Sequence, residues 1–142
     1  ARRQRQMCIR DRLIGVDLVK DPARLHAAYN DAQGVTAAFN LNLLRRANSE
    51  LDADFDLDGF THAAFFNAPL RRIEMHLVSR RAQSVSLNGE SFGFEEGETI
   101  HTEYSHKFTV DGFRALAVKA GFRPGAVWVD SERLFSVHWL GA

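Results

Sequence analysis

The 142-residue chain carries 18 basic and 18 acidic side chains, a formal net charge of zero, and 45% of its residues are hydrophobic. This is the length of one domain with an ordinary apolar fraction. It excludes a strongly basic nucleic-acid binder, no apolar run approaches the roughly 20 residues that span a bilayer, and the single cysteine, Cys8, leaves no intrachain disulfide.

Charge is uneven along the chain. Arg2, Arg3, Arg5, Arg10 and Arg12 stand against Asp11 in residues 1–12, and the rest is mildly acidic. Gln6–Arg12, QMCIRDR, resembles a translated sequencing-adaptor read, so residues 1–12 are expected to be a non-native or disordered tail. No secretory signal follows this basic start, and a cytoplasmic protein is expected. Leu13–Val19, LIGVDLV, reads as a buried strand of a parallel sheet. Its parallel neighbours would have to precede it, which suggests a fragment.

Asp21-Pro22 is a helix start, an N-cap acid followed by proline at the first helical position, and the helix should run to about Asn30. Gly34 breaks it. From there Val35, Phe39, Leu43, Ala47 and Leu51 recur every four residues with Leu44 beside them, the spacing of one buried face of a long helix. Phe55–Phe66 reads as a further short helix.

The period then changes to two. Ile73, Met75 and Leu77 alternate with Glu74, His76 and Val78, which predicts a strand over residues 71–80. Val85–Leu87, Asn88-Gly89 and Ser91–Phe94 form a hairpin signal, Gly97 marks a turn, and Thr99–Ser105 is another strand. Thr109–Ala120 is helical again and stops at Gly121. Ala126–Val129 and Leu134–Trp139 read as a closing pair of strands.

Ile100–Ser105, IHTEYS, carries the most chemistry. Residues two apart on a strand share a face, so Glu103 and Ser105 should point together. A carboxylate beside a hydroxyl can grip both nitrogens of an imidazole, the carboxylate accepting one N–H and the hydroxyl serving the other nitrogen. A plain exposed polar strand is the bland alternative. A second is a β-rich metal-binding module, with His76, His101 and Glu103 meeting across strands, although the spacing matches no strong metal motif.

LIGVDLVKDPARL, AAYNDAQGVTAAFNLNLL, RRIEMHLVSRRAQSV and ETIHTEYSHKF, in that order, resemble the second half of the histidine Nα-methyltransferase family. The resemblance runs from Leu13 nearly to the C-terminus. It implies that Glu103 and Ser105 of Thr102-Glu103-Tyr104-Ser105 recognise the substrate imidazole. It also implies that Tyr29 in AAYND helps to hold the substrate α-carboxylate, and that Phe39 and Met75 wall the pocket. Phe39 in a helical stripe and Met75 on a strand's apolar face equally suit plain core. Tyr104 between the pair departs from the residue most expected there.

The resemblance further implies an α/β fold: the C-terminal fragment of a class I Rossmann-like methyltransferase with an inserted α+β substrate-binding domain. Residues 13–21 and 108–142 would belong to the methyltransferase core, and residues 22–107 to the substrate domain. The cosubstrate would be S-adenosylmethionine, and the product the trimethylated betaine on the route to ergothioneine. The partner would be L-histidine, with no nucleic acid and no membrane, and the full-length protein a monomer. Gly89, Gly93 and Gly97 lie in hairpin sequence with no helix following, so no cofactor residue is assigned. A relative acting on another amine, and a non-catalytic amino-acid-binding domain, are the competing functions. With its apolar strands unpartnered, the chain alone is expected to be poorly soluble.

Overall fold

The computed structural model describes residues 11–142. In chain order the elements are β1 (Arg12–Asp17), α1 (Pro22–Tyr29), α2 (Val35–Glu50), β2 (Phe60–Asn67), β3 (Arg72–Ser79) and β4 (Gln83–Leu87). There follow β5 (Glu90–Phe94), β6 (Thr99–His106), α3 (Val110–Lys119), β7 (Arg123–Val129) and β8 (Phe135–Gly141). They divide into two compact units: the residues up to Lys20 with His106–Ala142, and Asp21–Ser105. Most of the arginine-rich segment expected to be a tail lies outside the described residues, but Arg12 opens β1. Among the described residues no helix is long and apolar enough to cross a membrane.

In the first unit the sheet order is β1-β8-β7 and both pairings are antiparallel. The expected parallel strand at Leu13–Val19 is therefore corrected: Leu13 faces Trp139 and Val16 faces Ser136 on the returning β8. The closing hairpin presents its second strand to β1. Its turn is locked by Asp130, whose carboxylate accepts backbone N–H groups from Glu132, Leu134 and Phe135 at 3.0, 2.7 and 2.7 Å. One parallel bridge, Leu18 to Phe108, ties the end of β1 to the segment entering α3. Thr109 caps α3 by accepting from Gly112 N–H at 3.0 Å.

The second unit is built on the sheet β2-β3-β6, with β4 and β5 as a separate hairpin. Asn88 and Gly89 take φ of 51° and 82°, the left-handed pair that a two-residue turn requires. Ile73, Met75 and Leu77 form the buried face of β3. Leu25 of α1 packs with Ala64, Ile73 and Met75, while Leu44 of α2 packs with Phe60 and Leu77.

Two expectations fail here. The expected helix at Phe55–Phe66 is a 3-10 turn at Leu57–Gly59 followed by β2, because the Asp56 side chain accepts the Asp58 N–H at 3.1 Å and sets a turn, not a helix. The antiparallel register from Phe60–Ser79 to Asn67–Arg72 then holds the rest extended. The stripe in α2 is also misread. Val35, Phe39, Leu43 and Leu51 are exposed; of the expected face Leu44 is buried, and the other buried position is Asn40. A buried asparagine is acceptable because its amide is bonded, which a hydrophobic pattern does not register.

Asp31 fixes the start of α2. Its carboxylate accepts the N–H groups of Thr36 and Val35, each at 2.9 Å, and these bonds hold its carboxyl at about 2, below the ordinary 3.8. The folded value is depressed, so this stabilisation is complete above the unfolded value and is lost as pH falls from 3.8 towards 2. Urea midpoints across that window should fall more steeply for the unmodified chain than for Asp31→Asn. Parallel slopes would refute the role.

Candidate functional site

The site is built from the ends of α1 and β6 and the exposed side of α2. Asp21 caps α1 by accepting the Ala23 N–H at 2.9 Å, Pro22 supplies the helical φ, and Leu25 anchors the helix in the core. This places Tyr29 at the last helical position, with its ring packed against the Leu25, Ala64, Ile73 and Met75 cluster. Its phenol donates to Ser105 Oγ at 2.7 Å, across 76 residues of sequence.

Two residues before Ser105, Glu103 lines an open cleft of about 190 Å³ together with Phe39, Leu43 and Thr102. Thr102 donates its hydroxyl to the Met75 carbonyl at 3.0 Å, pinning β6 to β3. Of the five expected site residues, the structure thus joins Tyr29 to Ser105 and sets Phe39 beside Glu103. Met75 is only 2% exposed and sits within the core cluster.

β6 does not alternate regularly. His101 and Tyr104, three residues apart, meet edge to face with ring centroids 4.0 Å apart, which a strict two-residue period forbids. The irregularity sends His101 towards His76, on the face opposite Met75, while Ser105 reaches Tyr29.

That opposite face carries a column of rings. Phe65 stacks on His76 at 5.4 Å, and His76 stacks on His101 at 4.4 Å with planes 13° apart. The Arg72 guanidinium lies 3.7 Å over the Tyr104 ring, and its Nε donates to Glu74 at 2.7 Å. Glu74 Oε1 also accepts from Asn67 at 3.0 Å, and the Arg72 hydrogen bond leads the causes that hold the Glu74 carboxyl below the ordinary range.

Glu74, His76 and His101 place one ligand atom each within 4.8 Å, so Glu74 stands where the sequence suggested Glu103 as the acidic metal ligand. The arrangement suits stacking better than coordination. Nearly parallel imidazoles send their lone pairs side by side instead of converging, and Glu74 already serves Arg72 and Asn67. His76 Nε2 is buried with no hydrogen-bond partner among the described residues, and its 3.5 Å approach to Glu74 is an electrostatic contact longer than a hydrogen bond.

The sequence reading missed Asn40 and His62, and gave Thr102 no role of its own within Thr102-Glu103-Tyr104-Ser105. Asn40 carried one signal: it stands four residues before Leu44, at core spacing in α2.

Gly34 joins two helices, Gly89 and Gly97 lie in turns between strands, and Gly93 is within β5. Among the described residues no glycine-rich turn leads from a strand into a helix.

A family model described as "Histidine-specific methyltransferase, SAM-dependent" matches residues 2–142. The chain belongs to this family. It is 48% identical over 120 residues to a protein named histidine N-alpha-methyltransferase from Mycolicibacterium smegmatis, covering 83% of this chain and 37% of the relative. A protein of the same name from Mycobacterium tuberculosis is 44% identical over 127 residues, covering 88% and 40%. Ergothioneine biosynthesis protein 1 of Neurospora crassa is 42% identical over 142 residues, covering 90% of this chain and 14% of that protein. The family member described here therefore spans about two fifths of the length of the mycobacterial relatives.

Proposed function

We propose that this chain is the histidine-recognising part of an S-adenosylmethionine-dependent histidine Nα-methyltransferase. The observation that carries the reading is the Tyr29–Ser105 hydrogen bond at 2.7 Å, with Glu103 two residues away on a cleft walled by Phe39. One hydroxyl pair and one carboxylate stand where an amino acid with a polar ring could be held at both ends. Glu103 accepts an imidazole N–H, Ser105 serves the other ring nitrogen, and Tyr29 turns its phenol from Ser105 to the α-carboxylate. Holding the substrate at both ends fixes the amine. Methyl transfer to nitrogen needs a neutral lone pair, correctly aimed and stripped of water, and orientation supplies much of the rate.

In this reading residues 22–107 are a substrate domain inserted in a Rossmann-like core to which residues 13–21 and 108–142 contribute. S-adenosylmethionine supplies the methyl group from parts of the protein outside this chain, and no cofactor residue is assigned here. Three transfers would give the betaine hercynine, at the first step of ergothioneine biosynthesis.

The test is a completed enzyme: this chain joined to the N-terminal part of the M. smegmatis relative, given S-adenosylmethionine and a panel of amino acids, with products read by mass spectrometry. Trimethylated histidine should dominate. Methylation of another amine in preference to histidine would overturn the imidazole assignment, and a well-folded inactive protein would favour a binding-only relative.

A further inference from the structure

Asn40 is 3% exposed and spends its amide nitrogen on two acceptors. Nδ2 lies 3.1 Å from the His76 carbonyl and 3.0 Å from His62 Nδ1. A carbonyl can only accept, so it fixes which way the Asn40 amide points. The amide nitrogen can only donate, so His62 Nδ1 must present a lone pair. The His62 proton then sits on Nε2, which is 2.8 Å from the Tyr29 carbonyl, again an acceptor only. Each link is forced by its neighbour, and the result is a neutral imidazole in one tautomer.

The chain of bonds ends at a place that would otherwise be loose. Tyr29 is the last residue of α1, where helix carbonyls have no partner within the helix. His62 supplies one. The next residue, Asn30, donates to the Ala64 carbonyl at 3.0 Å, so the end of α1 is tied to β2 at two points two residues apart on the strand. With its backbone held and its ring packed on the core, the Tyr29 phenol is aimed at Ser105.

We infer that His62, oriented by Asn40, is a positioning residue that sets Tyr29 for substrate binding through a neutral Nε2–H imidazole. This rests on the reading of Tyr29 as the partner of the substrate carboxylate. It adds a requirement that the family resemblance did not supply: a particular histidine tautomer behind the tyrosine. His62 acts through the Tyr29 backbone, so its loss should weaken histidine binding more than turnover.

The experiment is a double-mutant cycle in the completed enzyme, with KM for histidine and kcat measured separately. His62→Phe keeps a ring but removes both nitrogens, and should raise KM about tenfold, the effect of one lost hydrogen bond, with a smaller change in kcat. His62→Gln restores a donor near Nε2 and should recover most of the loss. In a Tyr29→Phe background His62→Phe should add less than about twofold, because both changes remove the same interaction. Full multiplication of the two effects, or an unchanged KM in His62→Phe while Tyr29→Phe raises it, would overturn the inference alone. An unchanged KM in Tyr29→Phe would sink the reading of Tyr29 and the inference with it. Should His62→Phe fail to fold, imidazole nitrogen NMR shifts of His62 in the unsubstituted protein decide the matter: the Nε2–H tautomer is expected, and a proton on Nδ1 would overturn it.

Discussion

Replacing Glu103 with alanine in the completed enzyme should lower kcat/KM for histidine by about one to two decades. A hydrogen bond to a charged group is worth about 1.5–3 kcal/mol when the partner would otherwise be stranded in a desolvated site. Glu103 is exposed on the cleft in this chain and its carboxylate makes no ion pair among the described residues, so the change removes no packing. The circular dichroism spectrum and thermal midpoint should therefore stay as they were. Glu103→Gln keeps an acceptor oxygen without the charge and should fall between. Ser105→Ala removes a neutral partner and should cost less than Glu103→Ala. Undiminished efficiency with histidine in Glu103→Ala would end the imidazole assignment.

Glu103 and Ser105 were put forward together because a hydroxyl and a carboxylate two apart on a strand are a local pattern. Tyr29 was put forward only through the family resemblance, since Ser105, its hydrogen-bond partner, lies 76 residues on. Local stereochemistry carried most of the elements that were placed well. Asp21-Pro22 started α1, Asn88-Gly89 turned the β4–β5 hairpin, and Thr109 and Gly121 bounded α3, each through a backbone requirement of its own. The failures share a different cause. Phe60, His62, Ala64 and Phe66 form one face of β2, but Ala and His among the phenylalanines blurred the two-residue period into a helical one. The α2 stripe was read as buried because its residues are apolar, yet Phe39 and Leu43 border a cleft, and beside the buried Leu44 a core position went to Asn40. Asn40 can occupy it because His62 and the His76 carbonyl accept its protons. Those partners come from other strands, and a single-chain pattern has no term for them.

The same limit applies in the first unit, where the sequence reading attached no role to Asp17 or Lys107. Lys107 Nζ is 2.7 Å from Asp17 Oδ2 and its side chain is fully buried, while Lys20 hydrogen-bonds the other carboxylate oxygen. Burial pushes the Asp17 carboxyl up, but the bonds and charges of Lys107 and Lys20 together outweigh it and leave the carboxyl below its ordinary value of 3.8. The Phe108 N–H donates to the Asp17 carbonyl at 3.0 Å, and the Val19 N–H to the Phe108 carbonyl at 2.9 Å. The ion pair is thus fixed by a backbone bridge on the same two segments. Asp17→Ala should destabilise the protein by about 3 kcal/mol, because it takes away the carboxylate that balances a buried ammonium, and breaking one side of a buried pair costs far more than the pair itself contributes. Asp17→Asn should cost less, since an acceptor oxygen remains. The double change Asp17→Ala with Lys107→Met should recover most of the loss by removing the buried charge together with its carboxylate. Urea unfolding of the three variants at neutral pH checks this. The sign with pH follows from the depressed folded pKa: the Asp17 contribution is complete above the unfolded value and is lost as pH falls through the folded one. The gap between the unmodified protein and Asp17→Ala should therefore narrow in acid, where both lack the carboxylate. A double variant as unstable as Asp17→Ala would show that the loss comes from packing around Asp17 and not from the buried charge of Lys107.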